Sequence, residues 1–363
     1  MMIIKLYLLT IMWFRRKDIQ FHASIVEPSI RGYVLPHAST AHTGKIISHT
    51  LRFKPKFKFK KVCILYYPVS AKHNVLGKHY HEYYVPMKCL KHFINNKWNM
   101  NKISFLGINL RDSLPSKINL SDTLIIVSAD FSHFLPMQKA ITLENKAAHS
   151  LMFKQHRKSN YINIVDHILS FKTLHKIIPS DWYLQWIGRT RSLGNKAVGY
   201  LSFFIKQPPT FKEPNGMFVT CYDSNMNSRE CLGEWFTNKK WTQTIEDKLI
   251  QKVISQGQLY SRLTGGLNKH IPIKFYTITY LYKDYKKMIR GYHGIKSKAF
   301  YLPEVLLEHT YPNGRWIQSE DTEWYDGRFM IKHTLEKLSI KSGIDTSNKE
   351  YELYRCEVKH IKI

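Results

Sequence analysis

Acidic residues are scarce in this chain: 27 Asp and Glu stand against 55 Lys and Arg over 363 residues, a formal net charge of +28. Such a field attracts polyanions. The basic residues are spread along the whole chain among many Asn and Ile, whereas a nucleic-acid face collects them on one side. Cysteine is also sparse. Cys63, Cys89, Cys221, Cys231 and Cys356 form no Cys-x-x-Cys pair and no even framework, which excludes a zinc ribbon and a disulfide scaffold and fits reduced thiols in a cytosol. Long apolar runs are missing too. Met1 to Phe14 is apolar apart from Lys5 and Thr10, and its charges, Arg15-Arg16-Lys17, come after it. A secretory signal has its charges first and a small-residue cleavage site, and a bilayer span needs about 20 apolar residues. The segment therefore reads as a buried first strand or helix, with a membrane anchor as the alternative. There is no internal repeat and no long low-complexity tract.

What the chain does hold is core-forming material. Hydrophobic residues make up 44% and aromatics 13%, too much for a disordered chain, and 363 residues suggest two domains. Short apolar runs recur in the first half at Gly32–Leu35, Val62–Tyr66, Ile103–Leu106 and Leu124–Val127, each ending at a polar or proline-marked turn. Continuous apolar strands separated by helical stretches such as Lys139–Lys154 are what a sheet covered on both faces requires, so the first domain is expected to be α/β. From Phe53 to Lys61, Phe and Lys alternate. Period two puts the rings on one face and the ammonium groups on the other, which suits either a lysine-protected edge or a phosphate-binding stripe.

Pro208, Pro209 and Pro214 with Gly216 break both strand and helix and mark the best boundary. The expected plan is an N-terminal extension over 1–29, a first domain over 30–205, a linker over 206–215 and a second domain over 216–363. The second half opens with a strand at Met217–Thr220 and a turn-rich Asp223–Ser228. It continues with a helix over Lys239–Gln258 and a strand over Ile273–Tyr282.

Polar groups follow the first-half strands: His37, His73, the cluster His79 and Glu82, and the pair Asp130 and His133. In open α/β sheets, ligands gather at the carboxyl ends of strands. Imidazole is the commonest metal ligand and the base tuned nearest neutral pH, and a mononuclear iron site of the two-His-one-carboxylate kind uses such a set. With 18 His in the chain, several fall after strands by chance, so spacing alone leaves each of them open between ligand and structural residue.

Four segments carry a family resemblance. Pro36-His37-Ala38-Ser39, followed by Thr43-Gly44, resembles the Pro-His-Ala-Gly opening of the Memo family. Tyr67-Pro68-Val69-Ser70-Ala71-Lys72-His73 looks like a stretched form of its Gly-Pro-Ser-His strand end. His79-Tyr80-His81-Glu82 through Pro86 is similar to its His-Ser-x-Glu-x-x-Leu-Pro segment, and Ser128-Ala129-Asp130-Phe131-Ser132-His133 to its Ser-Ser-Asp-x-Ser-His motif. The resemblance covers about residues 30–205 and implies an α/β domain related to class III extradiol dioxygenases. By carry-over His37 and His73 are metal ligands, Asp130 and His133 are catalytic with His133 as base, and His79, Glu82 and Arg189 bind substrate or support the site. Where the family has Cys-Gly-Arg, this chain has Ile187-Gly188-Arg189, and isoleucine cannot coordinate. The implied divalent metal, Fe, Cu or Zn, is therefore expected to be weakly bound or absent.

The second half resembles the AMMECR family, through Gly216-Met217-Phe218-Val219-Thr220, Arg229-Glu230-Cys231-Leu232-Gly233, His293-Gly294-Ile295, Phe300-Tyr301-Leu302-Pro303 and Lys341-Ser342-Gly343. This implies an α+β domain with Arg229, Cys231 and Gly233 in its motif and little defined chemistry. Glu230 replaces the family's glycine, so a backbone position of positive φ would be disfavoured and Cys231 would be opposed as a thiolate. A buried turn cysteine is the expected role of Cys231. The two resemblances together look like the fused form of the AmmeMemoRadiSam arrangement. They imply a cytoplasmic protein without a membrane span, a small-molecule or protein partner, and a radical-SAM protein as a further partner. Two functions stand side by side: a non-haem metal-dependent oxidoreductase of the dioxygenase-like type with a degenerate site, and a non-catalytic scaffold binding phosphorylated or nucleic-acid partners through its positive field.

Overall fold

The computed structural model describes residues 13–19, 24–68, 80–112, 115, 118–155, 164–192, 197–208, 213–236, 239–259, 271–282, 293–296, 300–302, 343 and 352–363. His73, His79 and most of the apolar N-terminal run lie outside the described residues. The chain is mixed α/β and divides into two compact units. The first comprises Met1–Ala147, His156–Pro208 and Tyr311–Asp326, and the second Ala148–Gln155, Pro209–Thr310 and Gly327–Ile363.

The first unit opens with two short strands, β1 (Ile25–Glu27) and β2 (Ile30–Leu35), then helix α1 (Thr40–Leu51). Strand β3 (Phe53–Pro55) pairs in parallel with β1, and β4 (Lys61–Tyr66) follows. Within the Phe/Lys alternation Phe53–Pro55 and the last residue, Lys61, are strand, and the alternation itself is visible: Phe53 and Phe59 are buried while Lys56, Lys58 and Lys60 are exposed. Helix α2 (His81–Phe93) runs through Pro86 and into a π-helical turn at Ile94–Trp98, which ends on Asn99 in the left-handed region, φ 51°. Then come β5 (Ser104–Asn109), β6 (Thr123–Ser128), β7 (His133–Leu135), helix α3 (Met137–Met152), helix α4 (Ile168–Ile177), β8 (Tyr183–Arg191) and β9 (Ala197–Lys206).

Apart from β1 and β3, which form a two-stranded sheet of their own, these strands form one seven-stranded sheet in the order β5-β4-β6-β2-β9-β7, with β8 paired to β9. The four strands β5, β4, β6 and β2 are mutually parallel, and β9 joins β2 antiparallel. Helix α1 packs on β8 and β9, and α2 and α4 pack on β4 and β6. Covered strands have no solvent face, which is why β6 reads Leu124-Ile125-Ile126-Val127 without polar alternation, all four fully buried. The register places Leu35 beside Ser128 and Leu65 beside Val127, so β2, β6 and β4 end level. Everything that follows those ends is delivered to one edge of the sheet.

The second unit is built on an antiparallel sheet of β10 (Gly216–Asp223), β11 (Ser228–Trp235), β12 (Ile273–Tyr282), β13 (His293–Lys296), β14 (Phe300–Tyr301) and β15 (Glu352–Lys362), in the order β11-β10-β12-β15-β13-β14. Helix α5 (Gln243–Leu259) packs on β10, β11 and β12 through Leu249, Ile250 and Val253. The β10–β11 turn is organised by Asp223, whose Oδ1 accepts from the backbone N–H groups of Asn225 at 2.8 Å and Asn227 at 3.0 Å. This is how an Asx side chain replaces a backbone turn.

Candidate metal centre

His37 stands two residues beyond the end of β2, and Asp130 two residues beyond the end of β6. Because Leu35 and Ser128 are in register, the two side chains arrive at the same height. The backbone N–H of Ala129 bonds to Leu35 O at 3.1 Å and continues the ladder past the strand ends. The backbone N–H of His37 then donates to Asp130 Oδ1 at 2.9 Å. His37 Nδ1 lies 3.0 Å from Ser128 Oγ, which leaves Nε2 facing the carboxylates: Asp130 Oδ2 at 3.7 Å and Asp166 Oδ2 at 3.3 Å. Asp166 comes from the segment before α4 and is tied in by its own N–H, which donates to Asp130 O at 3.2 Å. Its other oxygen, Oδ1, is 3.2 Å from His133 Nδ1.

The loop that carries His133 is anchored along β9. Phe131 N–H donates to Gly199 O and Gly199 N–H to Ser132 O, at 2.9 and 2.7 Å. Phe134 follows with φ 56° and 63% exposure, a bulky residue in the left-handed region beside the site. Beneath the loop, Ser132 Oγ donates to Glu144 Oε1, and Glu144 Oε2 pairs with Arg189 Nη2 at 2.6 Å. Arg189 also donates to Asn145 at 2.7 Å, and both members of the ion pair are fully enclosed. Gly199 is required here, because a Cβ would stand 1.9 Å from Glu144 Oε1.

A third contribution comes from the first turn of α2. The His81 ring lies 5.4 Å from the His37 ring, its Nδ1 is 3.4 Å from Glu82 Oε2, and Trp13 stacks on it at 4.5 Å. On the far side, Tyr67 stacks on His167 at 4.6 Å, with the Arg111 guanidinium 5.3 Å from the Tyr67 ring.

The electrostatics favour a cation at His37. Burial alone would lower its pKa, but Asp130, Asp166 and Glu82 outweigh burial and bring it up to about 9. Burial raises Asp130 above the usual carboxylate range, helped by the charge of Asp166 and opposed by His37. Asp166 is also buried, yet it ends below that range because the His37 hydrogen bond and the nearby imidazoles favour its charged form. Burial, helped by the positive groups His37, Arg111 and His133, lowers His167 to about 4.

Of the residues expected at the site, His37, Asp130, His133 and Glu82 are brought together; His73 and His79 lie outside the described residues. Asp130, expected to take part in the chemistry, is buried and accepts from the His37 backbone N–H. Arg189, expected to bind substrate or support the site, has no exposed surface and reaches the His133 loop through Glu144 and Ser132. Ile187 is buried in β8, so a thiolate has no counterpart there. Asp166 and His81 were not singled out by the sequence reading. Their signal was a carboxylate and an imidazole directly ahead of, or opening, an amphipathic helix.

Two donor groups could hold a metal ion among the described residues: His37 with Asp130 and Asp166, and His37 with His81 and Glu82. The residues fit an ion. Donors standing about 2.1 Å from a metal lie roughly 3.0–3.4 Å apart when they are neighbours in its shell. The separations of 3.3 and 3.7 Å are close to that spacing. Mixed imidazole and carboxylate donors suit Fe²⁺, Zn²⁺ or Mn²⁺ better than the thiophilic Cu⁺.

In the second unit, Cys231 lies within β11 opposite Thr220, not in a turn, and Thr220 Oγ1 donates to its sulfur at 3.1 Å. Glu230 has no positive φ, in keeping with a residue whose Cβ disfavours it. Its carboxylate accepts from the Cys231 N–H at 2.9 Å. Arg229 is buried, with Nε 3.4 Å from Gly257 O. Gly233 faces Phe218 across the ladder.

The chain matches no family model and no curated protein. No helix among the described residues is long and apolar enough to cross a membrane.

Proposed function

We propose that the first unit is a Memo-like, divalent-metal-dependent oxidoreductase domain, fused to an AMMECR-like second unit. The observation that carries this reading is the convergence of His37 Nε2 with Asp130 and Asp166, with His133 held on the other oxygen of Asp166. Support also comes from the order of the four motifs quoted above and from the place of His37 and Asp130 just beyond the carboxyl ends of parallel strands, where α/β sheets bind ligands. When bound, the ion supplies Lewis acidity toward an oxygen-bearing substrate.

The chain's own residues do the rest. His37, Asp130 and Asp166 hold the cation and keep its surroundings anionic. Asp166 fixes the His133 ring through Nδ1, leaving Nε2 to take up a proton from substrate, and at 37% exposure His133 is the member of the group that solvent and substrate can reach. The buried Arg189–Glu144–Ser132 chain holds that loop in place.

The test is metal analysis of full-length protein purified without a histidine tag and reconstituted with Fe²⁺, Zn²⁺ or Mn²⁺. About one equivalent is expected, with loss of at least tenfold in affinity for His37→Ala. Binding of less than about a tenth of an equivalent of every ion would remove the proposal.

A further inference from the structure

Resting on that reading, we infer that the second imidazole of the centre is His81, and that Glu82 joins it, so that His37, His81 and Glu82 form a two-histidine, one-carboxylate set. The resemblance pointed instead to His73.

The argument begins with position. His81 and Glu82 occupy the first turn of α2, a helix fixed against β4 and β6, so their backbone is set by the same sheet that sets His37. One donor atom each from His37, His81 and Glu82 lies within 4.8 Å of the others. The His81–Glu82 separation of 3.4 Å equals the edge of a metal's coordination polyhedron, about 3.0–3.4 Å for donors 2.1 Å from the ion. The His81 ring is held in place by Trp13, stacked at 27° between planes. The Glu82 side chain is only 2% exposed, and a carboxylate sealed to that degree calls for positive charge close by. The positive end of α2 opposes a cation at this turn by about 0.3–1 kcal/mol, and the Glu82 carboxylate acts in the other direction.

A set of two imidazoles and one carboxylate leaves coordination positions open for substrate and is matched to a hard or borderline ion such as Fe²⁺. It also explains how the centre can do without the thiolate that Ile187 cannot supply. Asp130 and Asp166 are further carboxylates within reach of the same imidazole.

Co²⁺ serves as the probe, because its visible absorption reports ligand type and number. Full-length wild-type protein and the variants His37→Ala, His81→Ala, His81→Gln, Glu82→Gln and His73→Ala would be compared by equilibrium dialysis and by the Co²⁺ spectrum, with circular dichroism checking each fold. His81→Ala and Glu82→Gln are expected to weaken Co²⁺ binding at least about tenfold and to change the spectrum, while His73→Ala leaves both unchanged. If His81→Ala misfolds, His81→Gln carries the same expectation. Wild-type affinity and spectrum in the His81 variants, alongside loss of binding in His37→Ala, would overturn this inference while leaving the metal reading intact. Loss of binding in His73→Ala with the His81 variants unaffected would overturn it in favour of His73. A wild-type protein that binds no Co²⁺ would overturn both.

Discussion

Acidification from pH 7 to pH 5 will weaken the second unit through a single imidazole, His360. It lies on β15 opposite Thr277, with the Phe153 ring edge-on at 5.3 Å, and although part of the residue reaches the surface, both ring nitrogens are sealed from solvent. Burial, with the charges of His149 and Lys154 acting in the same direction, lowers its pKa to about 3. A depressed histidine pKa means that the unfolded chain takes up the proton first as pH falls. The stabilisation is therefore complete above the unfolded value of about 6.5 and is lost progressively from there down to about 3. At pH 5 the unfolded imidazole is 1.5 units below its pKa, and at about 1.4 kcal/mol per unit this costs about 2 kcal/mol. The figure barely depends on the folded-state value, since that lies well below 5. The assay is urea unfolding of full-length wild type and His360→Phe at pH 7 and pH 5, each protein compared with itself, so that carboxylates common to both cancel. Wild type should lose about 2 kcal/mol more than the variant on acidification. Equal losses within about 0.5 kcal/mol, or an NMR titration of His360 with a midpoint above pH 6, would refute the argument.

Two further outcomes follow from packing. Glu144→Ala should destabilise the first unit by about 3–5 kcal/mol, because it strands a buried guanidinium, whereas the pair Glu144→Leu with Arg189→Met should recover most of that loss; thermal melts of the three proteins decide it, and a single-variant cost below about 1 kcal/mol would contradict the reasoning. Gly233→Ala would place a Cβ 2.4 Å from the Phe218 ring and should cost about 1–3 kcal/mol in urea unfolding, largely relieved when Phe218→Leu is added; no cost would show that the ring moves aside freely.

The strands are legible for two reasons: burial on both faces leaves the unbroken apolar run Leu124–Val127, and Ile273–Tyr282 carries a strand-like alternation over its observed bounds. Helix α5 was placed a few residues early, at Lys239 where it begins at Gln243. The site was legible only where a donor follows a strand end. His37 and Asp130 have that signature; Asp166 and His81 do not, since their relation to His37 is made by the packing of α4 and α2 on β4 and β6, which no local pattern encodes. Cys231 was misplaced for a related reason. Its motif reads as turn chemistry, but the observed ladder with Thr220 shows an ordinary strand residue, a distinction set by cross-strand pairing.

The level ending of β2 and β6 has a consequence for how the protein comes into being. His37 and Asp130 are 93 residues apart, and their contact depends on parallel pairing, which no hairpin can deliver locally. During synthesis the imidazole emerges long before its carboxylate neighbours. The proposed cation pocket is therefore absent until the sheet has closed, and on that reading affinity for an ion is a property of the finished unit and not of any segment. A fragment ending before Asp166 would contain all of the parallel strands and still lack a donor of the proposed site, so on that reading ion capture is a late event in folding and a measure of its completion.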